Sequence, residues 1–368
     1  MNEKTQPCTH CGAVHPRVNL TWMGSAELCP ECLQRYTVCC DCCGERIWMA
    51  NDYGTHYLHL CASCRADNYV TCENCDALIP QEDAHYNDED EAYCDSCYER
   101  GYGGTIHNYS YKPEPIFCGD GPLYLGVELE VDEAGKDNIN AVQALRAFNQ
   151  ENVYGYVKSD GSLNDGFELV THPCTLETHL QQVPWRETLE ALRGMGYRSH
   201  APGTCGLHVH VSRKALGKDV YEQEETIAKL LYIFERFWQE ILRFSRRTES
   251  QINHWAARYG YKDRGEEILK EAKHGANGRY ACINLTNTDT IEFRVFRGTL
   301  KYNTVIATLQ FVANLCRVAI SLPEYRIQEF SWPALIEALT QDNCPELVQY
   351  LKERNMYVNE PVTAEREV

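Results

Sequence analysis

Between Leu123 and Arg297 the chain alternates apolar and polar positions at the two-residue period of a β-strand. Leu125, Val127, Leu129 and Val131 fall on one face, and Glu128, Glu130 and Asp132 on the other. The same split sets His208 and His210 against Leu207, Val209 and Val211, and Glu292 and Arg294 against Ile291, Phe293 and Val295. Gly166–Pro173, which carries Glu168, and Tyr280–Thr286 complete five strand-like stretches. A helical period predicts helices over Asn138–Gln150, Leu176–Met195, Tyr221–Arg247, Thr304–Ser321 and Trp332–Lys352, with a loose tail from Val358. Strands separated by helices, without a phosphate loop or dinucleotide fingerprint, predict an α+β fold and not a doubly wound one.

Solvated sheet faces usually mix lysine, threonine, serine and glutamate. The five predicted strands instead put carboxylates and imidazoles on their polar faces, and no lysine. Oxygen and imidazole donors suit hard divalent cations such as Mg²⁺ or Mn²⁺. One Glu-x-Glu strand would be ordinary; five such strands together favour a metal-dependent site.

A second pattern fills the first hundred residues. Fourteen of the twenty cysteines lie there, as the C-x2-C pairs Cys8/Cys11, Cys29/Cys32, Cys40/Cys43, Cys61/Cys64, Cys72/Cys75 and Cys94/Cys97, plus Cys39 and Cys42. The pairs repeat every 32 or 33 residues, giving three units of C-x2-C, a linker and C-x2-C. This is the spacing of a four-cysteine zinc site, and units this small need the metal for folding energy. Disulfides, iron–sulfur clusters and pairing across the short gaps between units are the lesser alternatives. The register picks Cys40 and Cys43 over Cys39 and Cys42, which are left spare. Cys205, before the histidine strand, reads as a buried thiol sooner than a nucleophile.

The 368 residues carry a net charge of −18 and no run of eighteen apolar residues, so no membrane span is expected. The first residues lack the apolar core of a secretory signal, and a cytoplasmic setting with reduced thiols is the expectation. Residues 1–100 hold 6 basic against 17 acidic side chains. Such a balance repels phosphates, so protein recognition or scaffolding is expected of them sooner than nucleic-acid binding. The predicted organisation is zinc units over 1–100, a linker over 101–118 rich in Gly, Pro and Tyr, a catalytic domain over 119–355 and a tail over 356–368.

The ordered motifs GVELEVD, DGSL…GFELVTHP, CGLHVHVS and TIEFRVFRGTL resemble the amidoligase family of the carboxylate–amine ligase superfamily, to which glutamine synthetase and glutamate–cysteine ligase belong. The resemblance spans roughly residues 119–325 and leaves the zinc units unexplained. It implies a glutamine-synthetase-like catalytic domain, a curved antiparallel sheet with packed helices whose concave face binds ATP with Mg²⁺ or Mn²⁺. By position, Glu128, Glu130, Glu168 and Glu292 resemble the family's metal-binding acids. His208 or His210 resembles the imidazole at the metal bridging the nucleotide phosphates. Arg294 and Arg297 resemble the arginines that steady the transferred phosphoryl group, with Arg279 a weaker candidate. Lys158, Asp160 and His172 resemble substrate-facing residues only loosely. The implied activity is ATP-dependent joining of a carboxylate to an amine through an acyl phosphate, the substrates being small molecules, peptides or protein side chains. A zinc hydrolase built on the His-x-His strand and a non-catalytic zinc-dependent adaptor are the competing readings.

Overall fold

The computed structural model describes residues 5–87, 90–99, 104–274 and 278–357. The expected tail from Val358 and residues 101–103 of the expected linker lie outside the described residues. The chain divides into two compact units, Met1–Gly104 and Thr105–Val368.

In the first unit, three hairpins recur in step with the cysteines: Thr5–Pro7 with Val14–Pro16, Thr37–Cys39 with Arg46–Trp48, and Tyr69–Thr71 with Leu78–Pro80. Each is followed by a single 3₁₀ turn and, after the second cysteine pair begins, by a short helix: Pro30–Tyr36, Ala62–Asn68 or Asp95–Glu99. The residue after the first knuckle needs the left-handed region, at φ 74° for Gly12 and Gly44. Glycine enters that region without steric cost. The third unit places Asp76 there, at φ 57°.

The second unit is α+β. Among the described residues it holds an eight-stranded, mostly antiparallel sheet: β1 (Ile106–His107), β2 (Tyr124–Val131), β3 (Gly155–Lys158), β4 (Phe167–Thr171), β5 (Cys174–Thr175), β6 (Gly206–Ser212), β7 (Ile283–Asn284) and β8 (Thr290–Arg297). The order is β1-β3-β4-β2-β6-β8-β7, with β5 paired to β2, and only the β1–β3 pair is parallel. Residues 106–107, inside the expected linker, are thus the outermost strand of this sheet. A bulge interrupts the β6–β8 ladder between Leu207 and Val209.

The apolar face of β2, β4, β6 and β8 is almost wholly buried and packs on helices. These are α1 (Asn138–Phe148), α2 (Leu176–Gln181), α3 (Trp185–Gly194), α4 (Val220–Arg236), α5 (Trp238–Ser245), α6 (Glu249–Trp255), α7 (Gly265–His274), α8 (Tyr302–Ser321), α9 (Glu324–Gln328), α10 (Trp332–Leu339) and α11 (Pro345–Glu353). Phe234 of α4 meets Phe293 of β8 with ring centres 5.6 Å apart, and Phe244 of α5 stacks on Phe311 of α8 at 4.2 Å. By length and composition α8 could cross a membrane, yet it is mostly buried within the core. Its Gln310 and Asn314 reach Glu346 and the Leu339 carbonyl at 2.8 and 2.7 Å.

Three predicted helices are each two. Tyr221–Arg247 breaks at Phe237, whose φ and ψ of −107° and 34° end α4. Leu176–Met195 breaks at Pro184, and Trp332–Lys352 breaks before Pro345, because proline removes a donor and disfavours helix in the residue before it. The polar face is also not free of lysine. β3, unpredicted because it is four residues long, brings Lys158 opposite Glu168.

Candidate functional site

Register assembles the acids. In antiparallel pairs, residues directly opposite share a face. Glu128 lies opposite His208, and Glu130 opposite Glu168. His210 lies opposite Glu292, and Glu292 opposite Asn284. Five adjacent strands thus place their functional side chains in one cleft of about 1420 Å³.

At its centre, Glu128 touches both imidazoles. His208 Nδ1 lies 3.2 Å from Glu128 Oε2 and 3.5 Å from Glu292 Oε1. His210 Nε2 lies 3.2 Å from Glu128 Oε1 but makes no hydrogen bond there, and Nδ1 lies 3.3 Å from Thr290 Oγ1. Glu292 is fixed from two sides: Asn284 donates to it at 2.8 Å and Arg294 at 2.5 Å. Glu130 accepts from the Gly206 backbone N–H, and Lys158 Nζ lies 3.3 Å from Glu168.

The charges are frustrated. Burial, then the neighbouring Glu128, holds the Glu168 carboxyl well above the usual carboxylate range. Burial also raises Glu130 against the pull of His208. For Glu128 the burial penalty is overcome by His210 and His208, which hold it well below that range. Carboxylates crowded in this way repel unless protons or cations neutralise them. Glu128, Glu168 and His208, and likewise Glu128, His210 and Glu292, bring one donor atom each to within 4.8 Å of one another. This oxygen-rich donor set, with the unpaired His210 Nε2 in it, fits a divalent cation.

Arginines close one end of the cleft. Arg294 lines it, as sequence reading expects, but Arg297 is not among the lining residues. By the period-two count Arg297 falls with Ile291, Phe293 and Val295, and the β6–β8 bulge sets it opposite Gly206. Arg247, from the turn after α5, lines the cleft beside Arg294, buried and with its Nε unpartnered. Burial brings its guanidinium down to about 10, against the pull of Glu130. A Cβ at Gly206 would collide with both the His208 imidazole and the Arg247 guanidinium, so only glycine fits there. An Arg-Arg pair ending a helix is ordinary in sequence, and nothing marked Arg247 beforehand.

Arg279 stands at the mouth, its guanidinium 5.0 Å from the Tyr280 ring centre and bonded to the Tyr109 and Tyr280 hydroxyls. Asp160 lines the cleft; His172 is buried behind it, with Nδ1 accepting from Ile116 N–H at 3.4 Å. Asp132 is turned away from the ligand set. It accepts N–H bonds from Glu133, Asn164 and Asp165 and an O–H bond from Thr204, and so fixes the loops flanking the cleft. Cys205 is a buried thiol that burial pushes up to about 12, which leaves it inert as a nucleophile.

In the first unit the cysteines gather within units: Cys8, Cys11, Cys29 and Cys32; Cys40, Cys43, Cys61 and Cys64; Cys72, Cys75, Cys94 and Cys97. In every set the four Sγ atoms lie within 4.8 Å of one another, and Cys39 and Cys42 stay exposed outside them. Burial works against ionising Cys8, Cys40 and Cys72, yet backbone N–H groups aimed at each sulfur bring all three to about 6. Burial, then Cys29, pushes Cys32 up to about 12. Four converging thiols of which only some ionise alone are consistent with zinc, which binds tetrahedral thiolate sets.

Residues 146–316 match the family model described as "Putative amidoligase enzyme". That segment is similar to the amidoligase family. It includes β3, β4, β6, β7, β8 and Arg247, while β2 with Glu128 and Glu130 lies just before it. No curated protein matches the sequence. Among solved structures, the chain is similar to a bifunctional glutathione synthetase from Pasteurella multocida, with 15% identity over 63% of this chain and a TM-score of 0.31. It is also similar to the complex of the prokaryotic ubiquitin-like protein Pup with its ligase PafA, with 10% identity over 66% of this chain and a TM-score of 0.28. The matches span 46% and 60% of those chains, and likenesses of this size fix neither substrate nor mechanism.

Proposed function

We propose that the amidoligase unit is an ATP-dependent carboxylate–amine ligase that works through an acyl phosphate. The observation that carries this reading is a single cleft with four glutamates and two imidazoles along its floor and two arginines, Arg247 and Arg294, at one end. Joining a carboxylate to an amine in water runs uphill, so the carboxylate must first be activated. Glu128, Glu130, Glu168 and Glu292 would hold Mg²⁺ or Mn²⁺ with His208 or His210, and the cations would neutralise the ATP phosphates. Asn284 and Arg294 orient Glu292. The guanidiniums of Arg294 and Arg247 offer planar donors to the phosphoryl oxygens as charge develops in transfer. Lys158 and Asp160, which also line the cleft, would meet the carboxylate or the amine. The amine then attacks the acyl carbon and expels phosphate.

A zinc hydrolase on the same histidines would leave Arg247 and Arg294 without work. The three cysteine units are proposed to bind one Zn²⁺ each and to recruit a protein partner, since their acidic balance repels phosphate backbones. A cytoplasmic setting suits the reduced thiols. The test is purified protein with ATP, Mg²⁺ and pooled carboxylates and amines, read for nucleotide products and new amide masses. ADP and phosphate, with a hydroxamate trapped by hydroxylamine before amine is added, are expected. AMP and pyrophosphate, or hydrolysis without ATP, would refute the mechanism.

A further inference from the structure

Arg297 has unusual company for a chain of net charge −18. Its carbonyl accepts from Arg246, which ends α5 in the left-handed region at φ 67°, and Arg354, which ends α11, acts electrostatically on Arg246. All three act on His200, which burial and then these cations push below its ordinary value. Arg246 Nη1 lies 3.5 Å from His200 Nδ1 and donates to the Gly298 carbonyl at 3.2 Å. The Nε groups of both Arg246 and Arg297 are buried and meet no acceptor.

No carboxylate among the described residues forms an ion pair with Arg246, Arg297 or Arg354. Glu353, the chain neighbour of Arg354, is held at 2.9 Å by both Lys301 and Gln349. The Arg354 guanidinium is 5.0 Å from the Tyr350 ring centre, which holds it beside the others. Arg354 also lines a pocket of about 520 Å³ with Arg243, Glu353 and Asn355.

Guanidiniums do not shed their charge near neutral pH, so like charges gathered in this half-buried setting raise the energy of the fold. A bound anion removes that cost and supplies the missing acceptors. We propose that Arg246, Arg297, Arg354 and His200, beyond the cleft residue Arg247, form a second anion site for a small multivalent oxyanion bearing phosphate or carboxylate groups. The site contains no cluster of acids, so it needs no divalent cation. It stands whether or not the ligase reading holds.

The test is calorimetric titration of the zinc-loaded full chain with inorganic phosphate and, separately, citrate, at constant ionic strength and without added Mg²⁺. Saturable binding at one site per chain is expected for at least one of them, and the anion that binds tells phosphate ligands from polycarboxylates. Arg297→Gln and Arg354→Ala should each weaken it at least about ten-fold, the scale of losing one charge-assisted hydrogen bond. Arg294→Ala, in the cleft, should leave it in place. Arg354 lies on the surface, so its variant remains informative if Arg297→Gln fails to fold. No saturable binding of either anion, or an affinity unchanged by Arg354→Ala, would overturn the proposal.

Discussion

Glu128 touches both histidines and stands beside Glu168, so its carboxylate ties together two of the donor sets that fit a cation. Glu128→Gln keeps the shape and removes the charge. It is expected to abolish nucleotide turnover and to weaken Mg²⁺ binding, with near-ultraviolet circular dichroism unchanged. Arg294→Ala and Arg247→Ala are both expected to slow phosphoryl transfer by about 10³-fold or more while ATP still binds, the scale of transition-state arginines. Single-turnover rates would check this, and a normal rate for Arg247→Ala would remove it from the reaction. The acids were legible in the sequence because period-two alternation fixes which side chains share a face. Arg247 was not, since it sits in a turn, and Lys158 came only through the family resemblance, since its strand is too short to show a period. Arg297 rested on the family resemblance alone, since the period-two count groups it with Ile291, Phe293 and Val295. Asp132 belongs to stability instead. Burial alone would raise its carboxyl, but the N–H and O–H donors around it hold it below its ordinary value. Its contribution is therefore fully present above the unfolded value near about pH 4 and is lost as pH falls through the lower folded value. Asp132→Asn should cost about 1–3 kcal/mol at pH 7 and much less at pH 2, measured as the difference in urea unfolding from the unmodified protein.

At the scale of elements, the cysteine units repeat in backbone as well as in ligands. The position after the first knuckle is Gly12, Gly44 and then Asp76, all with positive φ. An L-residue with a Cβ pays about 1 kcal/mol or more in that region. Asp76→Gly is thus expected to stabilise the third unit by about 1 kcal/mol, seen as slower zinc release to a chelator. Cys40→Ser should release one zinc per chain and Cys39→Ser none, because only Cys40 sits in a four-thiol set. The period of 32 made this array readable from sequence alone. The long helices were less so: an apolar stripe continues across Phe237, where the backbone turns but the core does not end.

For the whole molecule, the second unit begins at Thr105, seven residues before the Lys112-Pro-Glu-Pro stretch that reads as a linker in sequence. Ile106 and His107 carry no visible strand period, and only their parallel pairing with Val157 and Lys158 reveals their place. The sheet is bounded on that side by this two-residue strand and on the other by Ile283–Asn284. Unpaired strand edges recruit other chains, and very short edge strands offer too few hydrogen bonds to seed such growth. A fragment from Thr105 should therefore run as a single species in size-exclusion chromatography. One from Lys112, which uncovers the edge of Gly155–Lys158, should associate as its concentration rises. The few residues joining the cysteine array to the sheet thus also act as a guard against self-templated aggregation.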